Sequence, residues 1–239
     1  MAIRKSNRTK SNTKLRTIGQ WLLKALIWFF AITITWVLLY KFINPPITYL
    51  MVQRGIERKL NGEDWKLNKD WKDYSEISTN LKRAAIAGED ARFMIHNGFD
   101  FEAMERAFKK NKNSKRKSGG STISQQTAKN VFLWSGRSYV RKAFEAYFTV
   151  LIELMWSKQR ILEVYLNVIE TGDGIYGAEA ATQTYYGIGC QRLTKAKAAL
   201  LIACLPNPRR WSPAKPTDYI YHKQYLILRN MRNLKRVKL

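Results

Sequence analysis

An apolar run near the amino terminus constrains this chain more than any other feature of its sequence. Residues Trp21–Tyr40 read WLLKALIWFFAITITWVLLY, and Lys24 is the one charged side chain among them. Such a run reaches the roughly 20 residues that a helix needs to cross a bilayer. Trp21 and Tyr40 stand where aromatic side chains meet lipid headgroups, and Lys24 can extend its amine to that interface. The sequence therefore predicts a transmembrane helix over residues 21–43.

The flanking residues predict the orientation of this helix. Residues 1–20 are rich in lysine and arginine and contain no acidic residue, so the positive-inside rule places them in the cytoplasm and the rest of the chain outside. A cleaved signal peptide is one alternative, but KFINPPITYL follows the run in place of a small-residue cleavage site. A buried core helix is the other alternative, and the flanking charges disfavour it.

The composition indicates a folded, strongly basic protein. Its 42 Lys+Arg against 18 Asp+Glu give a formal net charge of +24, which attracts nucleic acid, anionic lipid or pyrophosphate without choosing among them. Hydrophobic residues make up 46% of the chain, which excludes a disordered protein. Cys190 and Cys204 lack metal-ligand spacing and are interpreted as small core residues, with a disulfide as the alternative.

Most of the remaining sequence has helical spacing, and strand-like alternation is scarce. Residues 44–80 are interpreted as a membrane-proximal linker or short-helix region, and residues 81–239 as one domain of the all-α class. Residues 111–120, NKNSKRKSGG, are polar and end in glycine, which predicts a mobile loop. Helices are predicted over Leu81–Gly88, Phe101–Lys110, Ser121–Leu133, Val140–Trp156, Gln159–Val168, Tyr176–Tyr186, Lys195–Cys204 and Asp218–Leu234.

An acidic pair follows the first of these helices. Glu89 and Asp90 come directly after the apolar AAIAG and are followed by Phe93 and His96. A carboxylate set against apolar groups has a raised pKa and can accept a proton near neutral pH. A solvated acidic pair that caps the next turn is the alternative, and spacing alone favours it.

A second motif, GGSTISQQTAKN, runs from Gly119 to Asn130. Glycines lead into a helix start crowded with hydroxyl and amide groups, and such an end can bind phosphate or sugar hydroxyls. An ordinary capped helix is the alternative. A third motif contains Arg137, Arg141, Lys142 and Glu145. Arg141 and Glu145 share a helix face, either as a surface ion pair or as part of a cationic clamp for pyrophosphate.

Taken in order, these motifs resemble the peptidoglycan glycosyltransferase family, which includes monofunctional transglycosylases and the amino-terminal halves of bifunctional penicillin-binding proteins. The resemblance covers about Leu81 to Pro213 and rests on EDARFMIHNGFD, GGSTISQQTAKN, RKAFEAYF and ILEVYLN. The absence of a following Ser-x-x-Lys pattern favours the monofunctional type. Two departures, Ile188 after Gly187 and the lysines at 195 and 197, bear on the local packing more than on the activity.

The resemblance implies a lysozyme-like helical fold with a flexible membrane-facing lobe, and it implies an inverting polymerisation of lipid II. Glu89 would be the catalytic base and Glu145 the second essential acid. Lys129, Arg137 and Arg141 would stabilise the pyrophosphate. Asp90, Phe93 and His96 would shape the site. The other implied substrate-binding residues are Ser121, Thr122, Gln125, Gln126 and Asn130.

The resemblance also sets expectations for cofactors, partners and location. No cofactor is required, although a divalent cation, Mg or Mn, at Glu145 stays open. The partners would be lipid II, glycan linked to undecaprenyl pyrophosphate, the membrane, and cell-wall synthesis or division proteins, with no nucleic acid. The chain would sit in the bacterial inner membrane with its catalytic domain outside the cytoplasm. A lysozyme-like hydrolase and a membrane-tethered polyanion-binding protein remain the competing functions.

Overall fold

The computed structural model describes residues 6–112, 119–136 and 138–234. It divides the chain into two units, residues 1–43 and residues 44–239. In the first unit, helix α1 spans Ser6–Phe42, and its part Arg16–Phe42 is long and apolar enough to cross a membrane. That part measures about 40 Å at 1.5 Å per residue, more than the thickness of a bilayer core. Helix α1 therefore covers the predicted membrane span up to Phe42, one residue short of its predicted end, and begins well before it.

The second unit consists mainly of helices, as the sequence predicts. The helices that follow α1 are α2 (Tyr49–Leu60), α3 (Thr79–Glu89), α4 (Phe101–Lys112), α5 (Ile123–Phe132), α6 (Tyr139–Met155), α7 (Lys158–Val168), α8 (Ala178–Tyr186), α9 (Lys195–Cys204) and α10 (Asp218–Asn233). Two short 3-10 helices, Tyr74–Glu76 and Cys190–Arg192, complete the helical elements among the described residues.

A small sheet, which the sequence analysis did not predict, joins distant parts of this unit. It is formed by β1 (Asn68–Lys69), β2 (Glu170–Gly172) and β3 (Ile175–Tyr176), in the order β1-β3-β2. Strand β3 is parallel to β1 and antiparallel to β2. Strands of two or three residues are too short to show an alternating pattern, and for this reason they could not be predicted.

The sheet corrects two predictions. Tyr176 belongs to β3, so the helix predicted from Tyr176 begins only at Ala178. Gly177 makes the change of direction between them, because it has a φ of +81° and a Cβ there would lie 2.6 Å from the carbonyl oxygen of Asn167. Residues 44–80 are part of the compact unit rather than a linker, since β1 pairs with β3 and α2 packs on α5.

Two groups of helices form the core and set the position of the acidic pair. Helix α3 packs against α9 and α10, while α5 packs against α6 and α7. Gly88 permits the first of these contacts, because a Cβ there would lie 2.8 Å from Cγ2 of Ile202. The close approach fixes the end of α3, where Glu89 is the last helical residue.

The two cysteines are buried in the core as free thiols. Cys190 begins a 3-10 helix, and Cys204 ends α9 with a side chain that is 0% exposed. Burial raises the pKa of Cys190 to about 12 and that of Cys204 to about 11, so both stay protonated near neutral pH. The interpretation of both residues as small core side chains is confirmed.

Candidate active site

Glu89 lies at the carboxyl end of α3 and faces helix α5. Its side chain is held by Gln126, whose Nε2 donates a hydrogen bond of 2.9 Å to Oε2 of Glu89. The hydroxyl of Tyr165 donates to Oε1 of Gln126 over 3.4 Å, which fixes the orientation of that amide. Burial raises the pKa of Glu89 above its ordinary value, against the opposing effects of the Gln126 hydrogen bond and of Lys223 and Lys129. The direction of this shift is the one that the sequence predicts.

Asp90, the neighbour of Glu89, is buried and connects two segments of the site. Its carboxylate accepts from Nε2 of His96 at 2.9 Å and from the backbone amide of Ile123 at 3.0 Å. The amide of Gly98 donates to Nδ1 of His96, so the proton of a neutral imidazole is on Nε2 and points at Asp90. Phe93 packs edge-on against His96 and is 0% exposed. Asp90, Phe93 and His96 thus form the rigid support beside Glu89.

Replacing Asp90 with asparagine should destabilise the protein by about 1–3 kcal/mol. Asp90 accepts from Nε2 of His96 and from the amide of Ile123, and an asparagine leaves one of these two buried donors without a charged acceptor. Chemical denaturation of the purified protein in detergent measures the change. Asp64→Asn is the matched control, since Asp64 is exposed and its pair with Lys59 spans 3.4 Å, which makes an effect below about 1 kcal/mol expected. Equal stability of the two variants would show that Asp90 does not hold this support together.

The amino-terminal end of α5 has the form of the alternative, an ordinary capped helix. Thr122 is the N-cap, and its hydroxyl accepts from the amide of Gln125, whose side chain in turn accepts from the amide of Thr122. The next amide, that of Ile123, donates to the carboxylate of Asp90. Thr122 and Gln125 are only 2% exposed, so in this structure they cap the helix rather than line a cleft. The T-x-x-Q spacing is itself a capping-box signature that favours this arrangement.

The remaining residues of the second motif separate into exposed and cavity-lining positions. Ser121 is exposed before the cap. Gln126, Lys129 and Asn130 line a cavity of about 500 Å³ beside α5, a size typical of small-molecule sites. The cavity-facing side of α5 therefore carries Gln126, whose amide holds Glu89, and the cation of Lys129 about one turn further along. The other lining residues are Leu50, Arg54, Leu133, Trp134, Ser135, Gly136, Ile169, Glu170, Leu205, Pro206 and Pro208.

A cluster of charges on α6 adjoins this wall. Glu145 is 3% exposed, and its Oε2 accepts from Nη1 of Arg141 at 2.6 Å while its Oε1 accepts from Nζ of Lys142. Arg141 also donates from Nε to the carbonyl oxygen of Gly136, which lines the cavity. The alternative of an exposed surface pair is wrong, because both Arg141 and Glu145 are largely buried.

Lys129 lies within electrostatic reach of that cluster. Burial lowers its pKa, the carboxylate of Glu145 opposes this effect, and the positive charges of Arg141 and Lys142 add to it. Three cations and one carboxylate therefore meet beside the cavity, with a surplus of positive charge. Lys142 stands in the third motif but was not among the predicted site residues. Arg137, which was, lies outside the described residues.

The geometry around Glu145 bears on the open question of a divalent cation. Within the part of the chain that the structure describes, no group of three or more His, Cys, Asp or Glu side chains is placed to hold a metal. Both carboxylate oxygens of Glu145 already accept from cations. In this structure Glu145 therefore belongs to an ion-pair cluster, and a divalent cation there would have to displace Arg141 or Lys142 from its carboxylate.

Comparison with known proteins relates this geometry to a family. The family model described as Transglycosylase matches residues 57–232, a range that contains Glu89, all of α5 and the charged cluster on α6. A protein of Bdellovibrio bacteriovorus is 49% identical over 90% of this chain and 86% of its own length. One from Pseudomonas fluorescens Pf-5 is 48% identical over 92% of each chain. One from Caulobacter vibrioides is 54% identical over 77% of this chain and 78% of its own. All three are named biosynthetic peptidoglycan transglycosylase.

Proposed function

Because the chain belongs to the transglycosylase family, we propose that it polymerises lipid II into β-1,4-linked glycan strands and releases undecaprenyl pyrophosphate. One observation carries the proposal beyond the family assignment. Glu89, whose pKa is raised by burial, is held by Gln126 on the helix that also carries Lys129 toward the Arg141–Lys142–Glu145 cluster. Helix α5 therefore lies between a proton acceptor at the end of α3 and a cationic cluster on α6, and these two groups suit the two ends of a glycosyl transfer from a phosphate.

In the proposed reaction, Glu89 accepts the proton of the acceptor's 4-hydroxyl as that oxygen attacks the anomeric carbon of the donor. The new carbon–oxygen bond forms on the face opposite the pyrophosphate. The old bond breaks with its electron pair going to the leaving group, so an α-linked phosphate becomes a β-linked glycan. The raised pKa of Glu89 suits this role, because a general base works best when its pKa is near the operating pH.

The cations support the departure of the pyrophosphate. Negative charge grows on the leaving group as the bond breaks, and preplaced positive charges lower the barrier to that step. Lys129 and Arg141 supply these charges in the proposed mechanism, together with Arg137, and Lys142 adds a further cation beside them. Glu145 acts as a positioning residue, because it holds the side chains of Arg141 and Lys142. Side chains neutralise the leaving group in this scheme, and no step is assigned to a divalent cation.

The experiment that tests this function separates it from hydrolysis. Purified protein in detergent is incubated with labelled lipid II and, separately, with intact cell-wall sacculi. We expect lipid II to be converted into long glycan strands and the sacculi to stay unchanged. A lysozyme-like hydrolase would shorten the glycan of the sacculi and leave lipid II monomeric, and that result would refute the proposal. The cationic cluster favours the transferase, because finished glycan carries no pyrophosphate.

The membrane span supports a location at the site of these lipid-linked substrates. One amino-terminal helix fits a membrane-anchored synthase. We propose the bacterial inner membrane, with the amino terminus in the cytoplasm and the second unit outside it. Such an anchor confines enzyme and substrate to one plane, and the net charge of +24 attracts anionic headgroups. The lipid substrates and the membrane are thus the proposed partners, with cell-wall synthesis and division proteins as further candidates.

A topology measurement tests the orientation. An alkaline phosphatase fused after Leu239 should be active, because that reporter folds only outside the cytoplasm. A green fluorescent protein fused at the same position should not fluoresce, because it does not fold when it is exported unfolded across the membrane. Bright fluorescence with an inactive phosphatase would place the second unit in the cytoplasm and contradict the proposed orientation.

A further inference from the structure

The cavity beside α5 has a second polar wall that the proposed mechanism does not use. Arg54 of α2 and Glu170 of β2 line it together with Lys129, Asn130 and Gln126. Much of the remaining lining is apolar, with leucine, isoleucine, proline and tryptophan side chains. The cavity therefore has the positive charge of Lys129 on α5. It also has a mixed pair of opposite charges, Arg54 on α2 and Glu170 on β2.

The hydrogen bonding of this mixed pair is incomplete. Glu170 is 8% exposed, and its Oε2 lies 3.6 Å from Nε of Arg54, which is an ion-pair distance rather than a hydrogen bond. Among the described residues, neither Oε1 of Glu170 nor Nε of Arg54 has a hydrogen-bond partner. Both atoms are buried, they belong to side chains that line the cavity, and buried polar groups in proteins usually have partners. The buried hydroxyl of Tyr176, the cross-strand partner of Glu170, also has no hydrogen-bond partner in the described part of the chain.

The chemistry of the pair points to the group that would complete it. The carboxylate of Glu170 can only accept hydrogen bonds, and the guanidinium of Arg54 can only donate them. A hydroxyl does both at one oxygen atom, so a sugar hydroxyl satisfies both partners at once. A phosphate accepts only and would meet the negative charge of Glu170.

We propose that Arg54 and Glu170 form a subsite that binds a sugar hydroxyl of the lipid-linked substrate, other than the reacting 4-hydroxyl. This inference rests on the proposed function and adds specificity-determining residues to it. The substrate would lie along the cavity with its pyrophosphate toward Lys129 and a saccharide ring against Arg54 and Glu170. Recognition of the ring by a charged pair then helps to place the reacting atoms near Glu89.

Steady-state kinetics with lipid II test this subsite through two variants and a control. Glu170→Gln replaces an acceptor by an amide whose oxygen faces Arg54, and Arg54→Gln removes the charged donor. We expect each to raise KM about tenfold with kcat within about twofold of the wild-type value, because a hydrogen bond to a charged group is lost. Glu57→Gln is the matched control. It removes the 2.7 Å ion pair on the other side of Arg54, and Glu57 does not line this cavity.

Deoxy analogues of lipid II, each lacking one hydroxyl other than the 4-hydroxyl, identify the group that is bound. The wild-type protein should show a KM about tenfold higher for one of these analogues than for lipid II. Glu170→Gln should treat that analogue and lipid II alike, because the interaction is already lost. The ratio of the two KM values thereby measures the contact between the ligand and the side chain of Glu170. A residue with a role in folding alone would leave that ratio unchanged when it is replaced.

The results that overturn the subsite differ from those that overturn the proposed function. If the wild-type protein polymerises lipid II, a KM within twofold of wild type in Glu170→Gln refutes the subsite alone. An equal rise of KM in Glu57→Gln, or a Glu170→Gln variant too unstable to assay, would show that the pair serves the packing of α2. If the wild-type protein does not polymerise lipid II, the proposed function fails first.

Discussion

Replacement of Glu89 by glutamine is expected to reduce the rate of lipid II polymerisation by about 100-fold or more, the effect of losing a general base. Glutamine has nearly the same shape and can still accept the hydrogen bond from Nε2 of Gln126, so the cavity and the cationic cluster should stay in place. The loss should therefore appear mainly in kcat. The measurement is the initial rate of glycan formation from labelled lipid II at saturating substrate.

Stability and pH dependence separate this effect from misfolding. Because burial raises the pKa of Glu89 above 4.5, the folded chain binds that proton more tightly than the unfolded chain. The stability that this proton contributes is therefore lost as the pH rises from the pKa of Glu89 in the unfolded chain through its pKa in the folded chain. The variant with a neutral glutamine should be at least as stable as the wild type at pH 7. The wild-type activity should fall as the pH drops through the raised pKa, on an acid limb that lies above pH 4.5.

Glu105→Gln is the matched control for this substitution, because Glu105 is exposed on α4 and pairs only with Lys109 among the described contacts. Its polymerisation rate should equal that of the wild type. A Glu89→Gln variant that keeps more than about a third of the wild-type rate would exclude Glu89 as the catalytic base. An inactive but unfolded Glu89→Gln variant would instead contradict the expectation that the carboxylate is dispensable for stability.

Replacement of Lys129 by methionine is expected to reduce kcat by about 100-fold, the effect of removing one preplaced group that stabilises a developing negative charge. Methionine keeps an unbranched side chain in the cavity wall. It removes the cation of α5 that the proposed mechanism uses to stabilise the departing pyrophosphate. The wild-type activity should also fall at high pH, because burial lowers the pKa of Lys129 and its charge is lost as the pH rises through that value. Rate measurements across pH for both proteins provide the test.

Lys195→Met removes the same charge from an exposed position at the start of α9, outside the cavity lining, and should leave the rate unchanged. A similar loss in both variants would show that the overall charge of the protein, through its attraction for anionic lipid, matters rather than Lys129. A Lys129→Met variant with wild-type kcat would remove Lys129 from the proposed stabilisation of the pyrophosphate.

The helical class and the region of the site could be predicted from the sequence because both depend on local patterns. Apolar spacing identified the helices to within a few residues at most ends, since a buried helix face repeats with a fixed period. The EDARF and GGSTISQQ motifs directed attention to Glu89 and α5, which the structure brings into contact. Arg141 and Glu145 share a helix face at a spacing of four residues, and their ion pair could be foreseen.

The parts that escaped prediction depend on contacts between distant residues. The capping of α5 by Asp90 links the end of one helix to the start of another through a loop that contains His96 and Gly98. Arg54 and Glu170 meet only because α2 and β2 converge on the same cavity, and no local spacing relates them. The three-stranded sheet likewise joins short segments far apart in the chain. Tertiary packing decides each of these features, and single-sequence patterns do not report it.

The most direct test of the central claim, that this chain transfers sugars from a lipid pyrophosphate with Glu89 as base, is the ratio of undecaprenyl pyrophosphate released to disaccharide incorporated into glycan. We predict one pyrophosphate lipid released for each disaccharide added by the wild-type protein, and loss of both products in Glu89→Gln. Release without incorporation would reveal a hydrolase of lipid II. Incorporation by Glu89→Gln at the wild-type rate, with the same ratio, would contradict the assignment of the base.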